Sequence, residues 1–202
     1  MAGFGTRAWF FLRWGVYYNL ELMWLQSRAP AETKDGRRAP RSAGGAEMDG
    51  RRRQAQLEVY EVTNAYGSIC ASCGNCCREA TDRFSVMDAA VRADTDHPAP
   101  SFGTTLLSPV WELWNTLRHT AIRLASLGRP KVAMDKCNVC AHLTPTGCEL
   151  ALEDRPMICA TWFCPRLMAA MSPTDLLQIS KPMAVIEDIQ REAVKDLRGR
   201  GD

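Results

Sequence analysis

Cys70-Ala71-Ser72-Cys73-Gly74-Asn75-Cys76-Cys77 places four thiols within eight residues. Two residues between successive thiols suit a tight turn that aims them at one metal ion or cluster, and Gly74 relieves the backbone where it bends. Three cysteines at two successive intervals of this kind match the opening of a bacterial ferredoxin ligand run. Zinc sites use the same spacing, usually as one pair joined to a distant pair. The side chains of adjacent Cys76 and Cys77 should diverge. Cys70, Cys73 and one of Cys76 or Cys77 are therefore expected to share a centre. The other serves a different centre or none.

A second group lies about sixty residues further on. It comprises Cys137, Cys140, Cys148, Cys159 and Cys164, with Asp154-Arg155-Pro156 in their midst and Pro165 directly after the last. These residues are too dispersed to chelate locally, so they are expected to complete the site or sites opened by the first group. Such a centre would cross-link a chain with few other long-range constraints, and metal binding would then contribute to folding itself.

The combined spacing resembles the YkgJ-type cysteine-cluster family, described as a zinc- or iron-chelating domain, whose flagellin lysine N-methylase relatives carry a similar cluster. Four features carry the resemblance: Cys-x2-Cys-x2-Cys-Cys, Cys140-x2-Leu143, Arg155-Pro156-x2-Cys159, and the cysteines at 148 and 164. It spans Cys70 to Pro165, about half of the chain. The matching ligand positions are Cys70, Cys73, Cys76, Cys77, Cys140, Cys148, Cys159 and Cys164. Phe84–Asp88 resembles the extended piece and aspartate that follow the first group in relatives. Cys137 is additional, a further candidate ligand that forms its own pair with Cys140. The resemblance implies a site more than a reaction.

All-thiolate shells favour iron–sulfur clusters, and no histidine stands at a regular ligand spacing. The expected cofactor is an iron–sulfur cluster, with zinc as the alternative. Arg155 is expected beside the ligands, donating N–H bonds to thiolate sulfur and offsetting its charge; its other reading is a surface arginine before a turn-starting proline. His142 is read as a loop residue more readily than as a ligand, and His97 and His119 carry still less signal. Trp162 and Phe163, lying between Cys159 and Cys164, are expected to shield the metal from water, a role compatible with ordinary core packing.

The remaining sequence narrows the compartment and the partners. Nine cysteines in 202 residues are an odd number, which suits ligation better than complete pairing. The aromatic stretch Ala8–Leu25 is interrupted by Arg13, Asn19 and Glu21, and its uncharged run Trp14–Leu20 is too short to span a membrane. A reducing, cytoplasmic location with no transmembrane segment is expected. The formal net charge of +2 gives no basic stripe for nucleic acid, and Arg51-Arg52-Arg53 reads as a solvated boundary. A protein partner is left open. Neither a glycine-rich nucleotide loop, nor a Ser/His/Asp set, nor paired carboxylates stand beside the cysteines, so whether the chain is an enzyme is not decided.

Two zones are expected: an extension over residues 1–53, largely without structure, and a cysteine-cluster domain over 54–202. In the extension, Trp9, Phe10, Phe11, Trp14, Tyr17, Tyr18 and Trp24 suggest either a helix at a membrane surface or a tail helix packed on the domain. A chain beginning at Met48 is a third reading. Helices are expected from about Gln54 through Leu57, Tyr60 and Tyr66, from Ser108 to Gly128, and from Pro182 to Leu197 with Glu187 and Arg191 paired. Phe84–Met87 should be extended and lead into a helix over Asp88–Ala93. The fold class expected is mainly α with irregular cysteine-rich loops, a small metal-stapled domain.

Overall fold

A computed structural model describes residues 2–27, 44–69, 86–91, 142–144, 147–163 and 165–198. Within them the chain is mainly α. Helix α1 (Ala2–Phe10) continues through a wider, π-type segment (Phe11–Tyr17) into α2 (Tyr18–Ser27); α3 covers Gly45–Thr63, followed by a 3₁₀ turn at Asn64–Tyr66. Next come α4 (Val86–Val91), the strands β1 (Leu143–Thr144) and β2 (Gly147–Cys148), and a 3₁₀ turn at Leu152–Asp154. The order closes with α5 (Met157–Thr161), α6 (Pro165–Ala170) and the long α7 (Pro173–Arg198). The helix expected over Ser108–Gly128 lies outside the described residues.

Helix α7 is the spine, packing most extensively on α3 and then on α1. Ile186, Ile189, Ala193 and Leu197, the face expected to be apolar, are all buried, and Leu176, Ile179 and Met183 extend that stripe towards the N-terminus. The helix starts nine residues before the expected Pro182. Ser172 Oγ accepts the Asp175 N–H at 3.1 Å, and Pro173 occupies the first helical position, where no N–H is needed. Tyr66 Oη donates to Asp175 Oδ2 at 2.5 Å and holds that carboxyl below the usual range. Pro182 is instead interior and buried. The intrinsic cost of an interior proline, about 3 kcal/mol, is overridden by tertiary packing.

The expected boundary at residue 53 falls inside α3. Gly45–Arg53 is helical, with Met48, Asp49 and Arg52 buried, so the unstructured reading of this stretch is corrected. The aromatic N-terminal stretch is helical too, and it packs on the domain. Phe10, Trp14, Tyr18, Leu22 and Leu25 are buried, whereas Trp9, Leu12, Tyr17, Leu20 and Trp24 face outwards. In the π-type segment the Tyr18 N–H reaches Arg13 O, five residues back. This wider winding offsets the drift of an α-helix and keeps Phe10, Trp14 and Tyr18 nearer one line. Each large apolar side chain buried is worth roughly 1.5–3 kcal/mol, enough to dock a helix that is marginal alone in water. No helix among the described residues is long and apolar enough to cross a membrane.

Polar groups tie this helix down. Tyr18 Oη donates to Gln190 Oε1 at 2.6 Å inside the core, and Trp14 Nε1 donates to Ser180 Oγ at 3.3 Å. Arg191 donates to both Glu21 oxygens, at 2.5 and 2.9 Å, and to Glu187 Oε1 at 2.9 Å. Arg13 closes on the other Glu187 oxygen. The expected Glu187–Arg191 pair is therefore one edge of a four-residue charge cluster joining the N-terminal helix to α7.

Candidate metal centre

The region that carries cysteines in the described structure runs from β1 to α5, and α3 holds it in place. Positions 52, 56 and 60 of α3 stand four apart and so share one face. The Arg52 guanidinium is fully buried; it donates to Asp49 at 2.8 Å, to Gln56, and to the backbone oxygen of Glu153 at 2.8 Å. Gln56 Nε2 donates to the Arg155 carbonyl at 2.8 Å. Two side chains of one helix thus fix the turn between Cys148 and Cys159. The reading of Arg51-Arg52-Arg53 as a solvated boundary is corrected at its centre. Arg51 pairs with Glu192 of α7, and Arg53 pairs with Asp49 and Asp154.

Helix α5 begins after Pro156, whose side chain offers no cap, and the missing acceptor comes from another helix. Asp88 of α4 is buried, and its Oδ1 accepts the Met157 N–H at 2.9 Å. An aspartate at that place suits an orphan N–H at a helix start. Just before it, Val86 and Met87 differ from expectation, since they are helical rather than extended, and Met87 is buried; Phe84 and Ser85 lie outside the described residues. Burial of Met87, Ala90 and Val91 explains the helix, because the three lie on one side of it.

Two of the nine cysteines fall within the described residues. Cys148 ends β2, opposite Leu143 in a two-residue antiparallel ladder. It is half-buried, Cys159 on α5 is exposed, and neither forms a disulfide. Both lie within electrostatic reach of the Tyr60 phenol, as does Arg155. Tyr60 is 8% exposed, and burial together with the neighbouring Cys159 holds its hydroxyl protonated, its titration pushed well above the ordinary tyrosine range. The Arg155 guanidinium sits 5.2 Å from the centre of the Tyr60 ring, and its Nε donates to Leu150 O at 3.3 Å. Arg155 is both the charged neighbour and a side-chain hydrogen-bond partner of the phenol.

The remaining expected ligands, Cys70, Cys73, Cys76, Cys77, Cys140 and Cys164, lie outside the described residues, as do the additional Cys137 and the less favoured His97 and His119. His142 pairs with Glu149, Nδ1 to Oε1 at 2.9 Å, which accounts for it without a metal. Phe163 packs edge-on against Phe10, with ring centres 5.8 Å apart, and so follows its core-packing reading. Among the described residues no three of His, Cys, Asp and Glu form a group able to hold a metal ion. Two thiols flank a backbone turn fixed from α3, beside a guanidinium and a buried hydroxyl. Anionic sulfur is compatible with each of these neighbours.

Arg52, Gln56 and Tyr60 were not recognised from sequence. Their signal, polar residues at fourfold spacing in a helix that also carries Ala55 and Val59, is that of a buried face satisfied by backbone carbonyls. In comparison with known proteins, the chain matches no family model, no curated protein and no solved structure.

Proposed function

We propose that the chain is a metal-binding protein whose cysteine thiolates hold an iron–sulfur cluster, with a redox or accessory role. The observation that carries this reading is the run Cys70-x2-Cys73-x2-Cys76-Cys77, whose three thiols at two successive ligand intervals match a cluster-binding run more closely than the single pair of a redox dithiol. Its support from the fold is the turn between Cys148 and Cys159. Two helices, α3 and α4, spend buried polar groups on positioning that short segment. Cys70, Cys73, one or both of Cys76 and Cys77, Cys140, Cys148, Cys159 and Cys164 would hold the group, with Cys137 as a further candidate. Arg155 would lie beside it. A bound cluster supplies one-electron chemistry; the chain supplies thiolates and positive charge near Cys148 and Cys159.

The second reading is zinc in a four-thiolate site, acting as a structural staple for a module that binds protein or nucleic acid. The spacing of the first cysteine group equally favours it. Analysis of anaerobically purified protein separates the two. Iron with equimolar acid-labile sulfide and an absorbance band near ~400 nm, the region of sulfur-to-iron charge transfer in thiolate-held clusters, is the expected result. Colourless protein with stoichiometric zinc would select the staple.

A further inference from the structure

We infer that the outward face of the N-terminal helix is a docking surface for a lipid bilayer with anionic headgroups. This surface is separate from the proposed metal centre and rests on different residues. Among the described residues seven large hydrophobic side chains are exposed, and five of them stand on this one helix: Trp9, Leu12, Tyr17, Leu20 and Trp24. Scattered exposed leucines such as Leu57 and Leu177 are ordinary at a protein surface, whereas a contiguous group marks a contact. The π-type winding brings the five into one stripe. Leu12 and Tyr17 are five residues apart, a spacing that leaves two positions of an α-helix about 140° out of line. Both lie in the segment Phe11–Tyr17, whose wider turn sets positions five apart nearly one above the other. The remaining steps, Trp9 to Leu12, Tyr17 to Leu20 and Leu20 to Trp24, are those of neighbours on an α-helical face.

The stripe carries no charge, because the helix turns its ionised side chains onto its own fold. Arg7 donates to the Met171 carbonyl at 3.1 Å, Arg13 closes on Glu187, and Glu21 accepts from Arg191 at 2.5 Å. Two indoles and a phenol remain outward among leucines, apolar bodies that each end in a single polar group. Such side chains suit the boundary between acyl chains and headgroups, where one end of the ring is dry and the other wet. A second copy of the chain suits the face less well. With its five side chains 37–61% exposed, the stripe offers roughly 400–500 Å², short of the ~800 Å² per partner of a standard protein interface. Charge selects the lipid. Residues 28–43, next in sequence after the helix, hold five basic side chains against two acidic ones. Positive charge adjoining an apolar helix face complements anionic headgroups. The inner face stays packed on α7, so the helix lies flat on the bilayer rather than across it.

Vesicle flotation of the full-length, anaerobically purified chain tests this. Unilamellar vesicles of phosphatidylcholine and phosphatidylserine in a two-to-one mixture are compared with vesicles of phosphatidylcholine alone. The mixed vesicles are expected to bind the chain at least about 10-fold more tightly than the neutral ones. The double variant Trp9→Gln/Trp24→Gln removes two outward rings and leaves the inner face intact. It should bind the mixed vesicles about 10- to 100-fold more weakly, with unchanged melting temperature and metal content. Should its melting temperature fall, Leu12→Gln/Leu20→Gln makes the same test without touching a ring. Leu57→Gln, on α3, is the control and should bind like the unsubstituted chain. No binding to the mixed vesicles, equal binding to both kinds, or equal weakening in Leu57→Gln overturns the inference. A dimer in sedimentation equilibrium that dissociates in the tryptophan variant overturns it too, and assigns the face to a second copy. None of these results bears on metal content, so the metal-binding reading stands or falls separately.

Discussion

Asp88 illustrates how much one side chain does in this protein. Its carboxylate satisfies the first N–H of α5 from a different helix, so it fixes the start of the element on which Cys159 stands. Replacing it with alanine leaves that buried N–H without an acceptor and should cost about 1–3 kcal/mol. Asn retains an acceptor oxygen, and Asp88→Asn should recover at least half of the loss in urea denaturation at constant metal content. Equal losses would mean that Asp88 acts through its charge rather than through this bond. The sequence marked Asp88 only by resemblance, because nothing local tells a capping aspartate from a solvated one when the capped helix lies 69 residues away. Arg52 was hidden for a related reason. Within Arg51-Arg52-Arg53 the three residues look alike, and only the carbonyl of Glu153 makes the middle one a core residue.

At the scale of the element, α7 and the N-terminal helix depend on each other. Glu187 is almost fully buried, and burial raises its carboxyl above the ordinary range. Arg13 and Arg191 work against that rise, and Arg191 holds Glu21 below its usual range. Substituting Arg191 with Met leaves Glu187 with Arg13 as its cation and with the neighbouring Glu21 carboxyl, which itself favours the protonated form, so its carboxyl should rise further. A group whose folded pKa lies above its unfolded value costs stability as pH rises through the folded value. The loss in Arg191→Met should therefore be small near pH 4.5 and grow towards pH 7. There it should reach about 2–3 kcal/mol, less than the ~3–5 kcal/mol for a buried ion left with no partner. Urea denaturation at the two pH values checks this, and a loss independent of pH would mean that packing of the arginine stem dominates. The i,i+4 pair itself was legible in the sequence, as was the apolar face of α7. The start of the helix was missed because Pro182 resembles an N-terminal proline. Ser172-Pro173-Thr174-Asp175, the actual start, carries the same proline signal together with a hydroxyl cap.

At the scale of the molecule, the described residues 2–27 and 44–69 pack over α7 in one helical assembly. Composition obscured this. Gly, Ala, Arg and Pro between the aromatic stretch and α3 read as a linker, and the stripe Phe10, Trp14, Tyr18 and Leu22 is not an ordinary α-helical period but one adjusted by the π-type winding. The cysteine spacing was legible from the first line because ligand geometry is local in sequence. The groups that hold the turn between Cys148 and Cys159 were not, since Arg52, Gln56 and Asp88 act across 69 to 101 residues. The central claim is that cysteines from the two separated groups build one metal centre. Metal content of anaerobically purified Cys73→Ser, Cys159→Ser and Cys137→Ser chains, measured against the unsubstituted protein, tests it most directly. Cys73→Ser and Cys159→Ser should each lose metal held by the unsubstituted chain, and Cys137→Ser should keep most of it. Full retention in either of the first two, equal retention in Cys73→Ser and Cys137→Ser, or an unsubstituted chain whose nine thiols all titrate freely without metal would contradict the account.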